Sequence, residues 1–382
     1  MEFELSEEHN LIRETARRIA EAELLPRAAH TDKEGLFPRE QMKLLAENGF
    51  LTMLVPEDFG GTNAGSVGYS LALTEIARAC GSTAVTMAVT NMVADAINAF
   101  GNDEQKRKWI PKIATGEMSC AAFSLSEPGS GSDAASLKAT AVKDGDDYII
   151  NGEKCWVTSG DQAGLILVMA KTDTSQRSRG ISTFLVEPGT PGFTVGRHEE
   201  KMGLRGSSTV SLSFQDARVP ATHRLGPEGI GFKIAMRALD GGRIGIASQA
   251  LGIHQSCLEN SRKYSLDRKQ FSKPLADFQA TQFKIADMAT AYDASRMLIL
   301  KAATRKDAGL PFTQEASMAK LFATEAANQA ALEAIQIHGG YGYTDEFPVE
   351  RHLRDVRVTT IYEGTSEIQR LVIAREALGQ GK

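Results

Sequence analysis

The hydrophobic pattern of this 382-residue chain changes its period twice, which limits the possible folds more than any single motif does. Before about residue 119 and after about residue 227, apolar side chains recur at the spacing of helices. Between these points, short β-rich runs such as 165–171 are separated by turn signals such as Asp144-Gly145. The pattern predicts an α+β multidomain protein with an N-terminal all-α domain over 1–118, a middle antiparallel barrel or sandwich over 119–226, and a C-terminal four-helix bundle over 227–382.

Composition and charge exclude several classes of partner and location. The net charge of −5 argues against nucleic acid as the main partner. No membrane span is predicted, because no apolar run approaches the roughly 18 residues that a transmembrane helix needs. The acidic, amphipathic start of the chain resembles neither a signal nor a transit peptide. Four scattered cysteines without a CxxC pair indicate a reducing compartment, with cytoplasm as the default and the mitochondrial matrix for a processed chain. Seven scattered histidines give no metal-ligand pattern, so no metal site is predicted.

The acid Glu363 lies just before a predicted helix, in the segment Ile361–Ser366. Ser366 is the predicted N-cap of that helix, and Gln369 completes a capping box. One interpretation of Glu363 is a solvated loop acid whose pKa the helix dipole lowers. The other is a general base, which needs its pKa raised by desolvation. On this segment alone, the solvated acid is the favoured interpretation.

Phe123–Ala134 is a loop of small hydroxyl residues and glycines that can approach an anionic or heteroaromatic ligand closely. Its Gly129-x-Gly131-x-x-Ala134 spacing resembles a dinucleotide fingerprint, but that fingerprint requires a helix immediately afterwards. The chain instead continues in strand and turn character. An ordinary turn between strands is therefore the simpler interpretation of the loop itself.

Three other segments have both a structural and a ligand-binding interpretation. Trp156 is either a core residue or, with Thr158 on the same side of a strand, a stacking surface beside a hydroxyl group. Arg268 ends a long helix, where it either complements the helix dipole or binds a phosphate. Residues 336–343 are either a glycine-containing helix end or a site where backbone amides meet a phosphate.

Six motifs together, in their order and spacing along the chain, resemble the acyl-CoA dehydrogenase family, most closely its short-chain (butyryl-CoA) branch. The resemblance covers essentially the whole chain, and although each motif alone is weak, six in register are specific. The motifs are Pro56–Gly61, Phe123–Asp133, Trp156–Gly160, Arg268–Pro274, Gln336–Gly342 and Ile361–Gln369.

The resemblance implies an α-bundle, antiparallel β-barrel and α-bundle fold, assembled as a homotetramer that is a dimer of dimers. It implies FAD as cofactor and a short-chain or short branched-chain acyl-CoA as substrate, which is desaturated to the trans-2-enoyl-CoA, as in fatty acid β-oxidation. Glu363 would remove the α-proton and flavin N5 would take the β-hydrogen as hydride. The implied electron acceptor is an electron-transfer flavoprotein. The alternatives are an acyl-CoA oxidase that uses O₂ and a non-catalytic helical binding scaffold of the same fold.

The resemblance also assigns binding residues, position by position. The flavin ring and ribityl chain would contact Phe123, Leu125, Ser126, Trp156 and Thr158, with Ser132 shared between cofactor and substrate. The adenosine pyrophosphate half would contact Arg268, Phe271, Gln279, Gln336, Gly339 and Gly340 of the neighbouring subunit. Thr365 and Glu367 would contact the dinucleotide from the same chain as Glu363. The CoA and thioester path would be lined by Ser132, Asp240, Arg243, Tyr362 and Gly364.

Two departures and one electrostatic expectation accompany the resemblance. Ser272 stands where the family usually has glycine, which predicts a different backbone dihedral after Arg268. Ala238–Ile246 contains no glutamate, which disfavours the branches whose base comes from that helix. We expect ligand binding, rather than the empty site, to supply most of the upward pKa shift of Glu363, because the following helix opposes that shift.

Overall fold

The computed structural model describes residues 4–380, so the ends of the first and last predicted domains, 1–3 and 381–382, lie outside it. The predicted order of helical, β and helical regions is confirmed. The helices are α1 Glu7–Ile19, α2 Ala28–Glu34, α3 Arg39–Glu47, α4 Gly65–Ala79, α5 Gly81–Phe100, α6 Asp103–Ala114, α7 Gly231–Asp267, α8 Gln279–Asp307, α9 Thr313–His338, α10 Val349–Arg357 and α11 Ser366–Ala377. The strands are β1 Ala121–Ser124, β2 Thr140–Asp144, β3 Asp147–Thr158, β4 Leu165–Lys171, β5 Ile181–Val186, β6 Phe193–His198, β7 Thr209–Pro220, β8 Arg224–Leu225, β9 Lys269–Gln270 and β10 Lys273–Pro274.

The two alanine-rich helices α4 and α5 form the interior of the first region, where almost all of their side chains are buried. α4 also carries the buried carboxylate of Glu75. Arg17 of α1 donates to it at 2.9 and 3.1 Å, and Arg78 donates at 3.1 Å. Two guanidinium groups therefore satisfy this acid and tie α1 to α4.

The middle region is one eight-stranded sheet with the path β6-β7-β3-β2-β4-β5-β8, and β1 pairs with β4. Most pairings are antiparallel, as predicted, but β4 runs parallel to both β1 and β2. The prediction of a wholly antiparallel arrangement was wrong at these two pairs. β4 is buried from Leu165 to Ala170, a continuous apolar run typical of strands covered on both faces, and such a run does not specify direction.

Helix α7 is a single helix of 37 residues, although Gly241 and Gly242 predict a break within it. A glycine in a helix costs only about 1 kcal/mol, so packing on several sides readily overrides it. α7 packs against α4 and α5 as well as against α8 and α9. At Gly252 a methyl group would overlap the carbonyl oxygen of Thr74 in α4, so α7 and α4 lie in close contact. The C-terminal bundle thus shares its longest helix with the N-terminal region.

Helix α10 joins all three regions. Arg354 donates to Asp32 of α2 at 2.7 and 3.1 Å. The neighbouring Asp355 accepts from the backbone N–H of Leu204, in the segment between β6 and β7, at 2.6 Å. Burial raises the pKa of Asp355 to about 7. None of the helices within residues 4–380 combines the length and apolarity that crossing a bilayer requires.

Candidate active site

The segment that carries Glu363 is a sharply turned loop between Thr360 and α11. Glu363 has φ +52° and Gly364 has φ +93°, so two successive residues adopt the left-handed conformation. The N-cap of α11 is Thr365, whose hydroxyl accepts from the N–H of Ile368 at 3.4 Å. The prediction of Ser366 as N-cap was wrong, because these left-handed residues reverse the chain and leave Thr365 as the extended residue at the helix boundary.

Gln369 does not close a capping box either. Its side-chain amide donates to the carbonyl oxygen of Gly364 at 2.9 Å and to that of Glu363 at 3.4 Å. The first turn of α11 therefore holds the loop that precedes it. These two contacts hold the two peptide groups that follow Glu363.

The carboxyl group of Glu363 lies in a niche against α7. The residue as a whole is partly exposed, but its Oε2 atom is buried and has no hydrogen-bond partner. A methyl group on Gly242 would overlap Oε2 and would lie 3.0 Å from Met92 Sδ of α5. Only glycine at position 242 leaves room for this carboxyl group between the two helices.

Burial raises the pKa of Glu363 to about 7, and the positive charges of Lys320 and Arg243 partly oppose the shift. The solvated loop acid is therefore the wrong interpretation. The protein itself buries one oxygen of the carboxyl group, and this desolvation outweighs the dipole of the short helix that follows. The expectation that ligand binding supplies most of the total shift stays a prediction.

Two buried cations belong to this niche. Lys320 of α9 is fully buried, and its Nζ donates to the carbonyl oxygen of Gly364 at 2.7 Å. Arg243 of α7 donates to Asp240 Oδ1 at 2.6 Å and to Ser317 Oγ at 3.2 Å, while its Nε has no partner. Lys320 was missed at the sequence level. The signal was a lone lysine in the alanine-rich middle of α9, where neighbouring side chains are buried.

Of the residues assigned to the CoA and thioester path, all but one lie beside Glu363 or on the helix that packs against it. The Tyr362 hydroxyl donates to Gln249 Oε1, and Gln249 donates to the carbonyl oxygen of Gly81 at 3.0 Å. Asp240 bridges α7 and α9, because its second oxygen accepts from Thr313 at 2.7 Å. Ser132 lies apart from them, exposed on the loop after β1.

Helix α5 connects the niche to the β-sheet. Thr90 Oγ1 accepts from the N–H of Ala121 in β1 at 3.2 Å, and Thr86 lies 3.4 Å from the hydroxyl of Ser159, just after β3. The same helix carries Met92, whose sulfur adjoins the niche of the Glu363 carboxyl group. The strands that bear Phe123 and Trp156 are thereby set next to the helix that closes the niche.

The residues assigned to the flavin ring surround an unusually exposed tryptophan. Trp156 is 64% exposed and has φ +58°, at a bulge in the pairing of β3 with β7. Thr158 is partly exposed while the intervening Val157 is buried, and Phe123 and Ser126 are partly exposed at the end of β1. Leu125 is nearly buried. The result is a flat apolar surface with hydroxyl groups at its margin.

A buried ion pair underlies this surface and was also missed at the sequence level. Lys154 of β3 is fully buried and donates to Glu127 Oε1 at 2.8 Å and to the carbonyl oxygen of Leu125 at 3.1 Å. Glu127 also accepts from the N–H groups of Lys138 at 2.6 Å and Ala139 at 3.0 Å. The sequence feature that could have indicated this ion pair is a lysine at a strand position that faces inward.

The residues assigned to the adenosine half are exposed, in the α7–α8 connection, at the start of α8 and at the end of α9. The Arg268 guanidinium carbon lies 5.7 Å from the ring centroid of Tyr341, which brings two of these segments together. Phe271 is 90% exposed. Ser272 has φ +66°, so serine adopts the left-handed turn that glycine favours, and a dihedral different from that of the family stays a prediction. No hydrogen bond or ring contact of residues 4–380 joins this set to the Glu363 loop.

These exposed segments fit a large, flat, phosphate-bearing group. An indole that is 64% exposed leaves apolar surface in water, which a planar ligand would cover. Gly339 and Gly340 have no atoms within 4 Å of the position of a side chain, so a ligand can approach their backbone. No three metal-ligating side chains of the described residues converge on one point.

Two helical regions, the sheet between them and a buried acid of near-neutral pKa together define a three-domain enzyme. Three domain models of acyl-CoA dehydrogenases match the chain: the N-terminal domain over 6–117, the middle domain over 122–217 and the C-terminal domain over 229–378. The chain belongs to the acyl-CoA dehydrogenase family.

Individual relatives are similar over nearly the full chain. The mitochondrial short-chain specific acyl-CoA dehydrogenase of Rattus norvegicus is 50% identical over 98% of this chain and 91% of its own length. The structure of butyryl-CoA dehydrogenase from Megasphaera elsdenii superposes with a TM-score of 0.97 at 42% identity, covering 99% of this chain and 100% of that one. A chain from a structure described as the electron transferring flavoprotein of Acidaminococcus fermentans gives a TM-score of 0.98 at 43% identity, over 99% and 100%.

Proposed function

We propose that this protein is an FAD-dependent acyl-CoA dehydrogenase that converts short-chain acyl-CoA thioesters to trans-2-enoyl-CoA. The observation that carries the proposal is the buried Oε2 of Glu363, in a loop that follows the partly buried Tyr362 and adjoins α5 and α7. The family match and the similarity to short-chain and butyryl-CoA dehydrogenases support the substrate class. Ala238–Ile246 contains no glutamate, and its one acid, Asp240, is paired with Arg243, which favours Glu363 as the base.

In the proposed mechanism, Glu363 removes the α-proton of the acyl group. A carboxylate works best as a base when its pKa lies near the working pH, and burial brings the pKa of Glu363 to about 7. The backbone N–H of Glu363 would polarise the thioester carbonyl. Bound FAD would accept the β-hydrogen as hydride. Lys320 and Arg243 would stabilise the carboxylate form before the proton is taken.

The residue roles and the domain boundaries of 1–118, 119–226 and 227–382 belong to the proposal. FAD would be held by Phe123, Leu125, Ser126, Ser132, Trp156, Thr158, Thr365 and Glu367, and from the neighbouring subunit by Arg268, Phe271, Gln279, Gln336, Gly339 and Gly340. Acyl-CoA would be bound by Ser132, Asp240, Arg243, Tyr362 and Gly364. Asp240 and Arg243 form an ion pair, so we expect them to line one polar side of the acyl-CoA site together.

The partners and the location are also proposals. We propose a homotetramer, as the family resemblance implies, and an apolar groove of about 560 Å³ along α8, α9 and α11 would suit one of its contacts with a second copy of the chain. An electron-transfer flavoprotein as acceptor is supported by the similarity to the Acidaminococcus fermentans chain. The cytoplasmic location stays a prediction, and the mitochondrial relative keeps the matrix as its alternative.

The test is anaerobic reduction of the purified protein by acyl-CoA. The protein should be yellow, and butyryl-CoA should bleach its flavin faster than the six- and eight-carbon thioesters. Rapid reoxidation in air after bleaching would instead favour an acyl-CoA oxidase. A colourless protein that takes up no FAD on titration would contradict the proposal and favour a binding scaffold.

The niche gives a second prediction, from two adjacent glycines of α7. Gly242→Ala should slow flavin reduction on the order of 10²-fold, because its methyl group would displace the Glu363 carboxyl group from its position. Gly241→Ala is the matched control. Its methyl group would meet the flexible end of Lys306, at 3.3 Å from Nζ, and should leave the rate within about twofold while raising helix stability by about 0.5–1 kcal/mol. Stopped-flow reduction measures the rates, and thermal unfolding measures the stability. Equal reduction rates for the two variants would contradict this account of the niche.

A further inference from the structure

Lys320 is a fully buried lysine that forms no ion pair within the described part of the chain. Its one hydrogen bond is the 2.7 Å contact from Nζ to the carbonyl oxygen of Gly364. Burying an ammonium group without a paired carboxylate is costly, so its position in the interior of α9 requires an explanation other than stability.

The carbonyl that Lys320 binds belongs to the residue after Glu363. That carbonyl accepts two hydrogen bonds, one from Lys320 of α9 and one from Gln369 of α11 at 2.9 Å. The Glu363–Gly364 pair is left-handed, a conformation that costs a residue with a side chain about 1–2 kcal/mol and needs support from its surroundings. Two helices thus clamp the Gly364–Thr365 peptide group, one residue after Glu363.

Lys320 also contributes charge to the niche. The groups that face Glu363 are Arg243 from α7, Tyr69 from α4, Lys320 from α9 and Tyr362 from its own loop. Of these, Lys320 and Arg243 carry positive charge, and Arg243 is already paired with Asp240. Lys320 has no such competitor, and its attraction to Glu363 is the main effect opposing the burial that lowers its own pKa to about 8.

We propose that Lys320 is a positioning residue for the base: its ammonium group holds the Gly364 carbonyl, keeps the Glu363 carboxyl group in its niche and favours the carboxylate form. The inference rests on the proposed function, which assigns the base role to Glu363. It extends that function to a residue outside the family motifs of the sequence.

The positive charge of Lys320 predicts the direction in which the pKa of Glu363 changes when that lysine is replaced. A nearby cation lowers the pKa of a carboxyl group, so Lys320→Met should raise the pKa of Glu363 above its value of about 7. We expect the acid limb of the plot of flavin-reduction rate against pH to move to higher pH by about one unit. At a pH below that limb, the rate should therefore fall about tenfold relative to the parent enzyme.

The experiment measures the pH dependence in two ways. Stopped-flow reduction of the FAD-loaded enzyme by butyryl-CoA gives the kinetic pKa. Infrared difference spectra of the free protein follow the protonated carboxyl band of Glu363, which is assigned by its loss in Glu363→Gln. Lys284→Met is the matched control, because it removes a lysine that joins α8 to Glu333 of α9, away from the loop, and should leave both titrations unchanged.

Three outcomes decide the inference. An upward shift of both titrations in Lys320→Met alone supports it. A slower Lys320→Met enzyme with an unchanged Glu363 titration overturns it, because a merely structural lysine would give that result. Lys320→Gln, which is neutral but keeps a donor, should show the same shift and replaces Lys320→Met if that variant does not fold. If no acyl-CoA reduces the parent enzyme, the proposed function fails, while the infrared titration still decides the role of Lys320.

Discussion

Replacing Glu363 with glutamine should slow flavin reduction by butyryl-CoA by about 10²- to 10⁴-fold, the range that a general base contributes. Glutamine has the shape of glutamate but cannot accept the α-proton. The variant should stay yellow and should bind acyl-CoA within a few-fold of the parent, because the backbone of the loop is held by Lys320 and Gln369 rather than by the carboxyl group. Single-turnover stopped-flow under anaerobic conditions measures the loss. A rate within tenfold of the parent would contradict the assignment of Glu363 as base.

The same variant provides its own folding control. The folded-state pKa of Glu363 is raised from 4.5 to about 7, so its contribution to stability is fully present below pH 4.5 and is lost as the pH rises through 7. Glutamine has no such titration, and Glu363→Gln should become more stable than the parent by at most about 3 kcal/mol at pH 8. Glu325→Gln, which removes an exposed partner of Arg370, should show no comparable pH dependence. Urea unfolding at pH 4 and pH 8 distinguishes the two variants.

Lys154→Met should lower the free energy of unfolding by about 3–5 kcal/mol, because it leaves the buried carboxylate of Glu127 without its cation. The pair joins the loop after β1 to the strand that carries Trp156, so the loss should also weaken FAD binding. Equilibrium unfolding and fluorescence titration with FAD measure the two effects. The exposed pair of Arg177 and Asp133, with side chains 73% and 59% exposed, joins the same loop, through Asp133, to the connection between β4 and β5 and is the matched control.

The control and a double variant make this prediction decisive. Arg177→Met should change stability by no more than about 1 kcal/mol, because an exposed pair is screened by water. Lys154→Met combined with Glu127→Leu should recover part of the lost stability, since both buried charges are then gone. A loss in Lys154→Met as small as in Arg177→Met would show that water reaches Glu127 and that the pair does not support the loop.

The architecture could be predicted from the sequence because it depends on period. The spacing of apolar residues changes from helical to strand-like and back over more than a hundred residues, so local exceptions do not obscure the pattern. The order of the motifs along the chain can be compared with that of a family without knowing any interatomic distance. That order identified Glu363, Trp156 and Arg268 as candidate site residues. The assignment of roles to those residues stays a prediction, which the variants above test.

The features that could not be predicted depend on contacts between distant segments. Lys154 and Lys320 look like ordinary lysines in sequence, and only the folded chain shows that each is enclosed. The pKa of Glu363 depends on its burial in a niche that Gly242 and Met92 of two other helices adjoin. The cap of α11 was misplaced by one residue, because the left-handed conformation of Glu363 is imposed by its surroundings rather than by its side chain. The parallel pairing of β4 was missed because a strand buried on both faces carries no directional signal.

The long helix α7 has a consequence for recombination between relatives. It begins after the sheet, yet α4 and α5 of the first region pack on it as closely as its own successors do. Exchanging the segment after residue 227 for that of a homologue would therefore place a foreign surface against α4, and the contact at Gly252 tolerates no added atom. Chimeras that move α4, α5 and α7 together should assemble more readily than chimeras divided at the boundaries of the family domains.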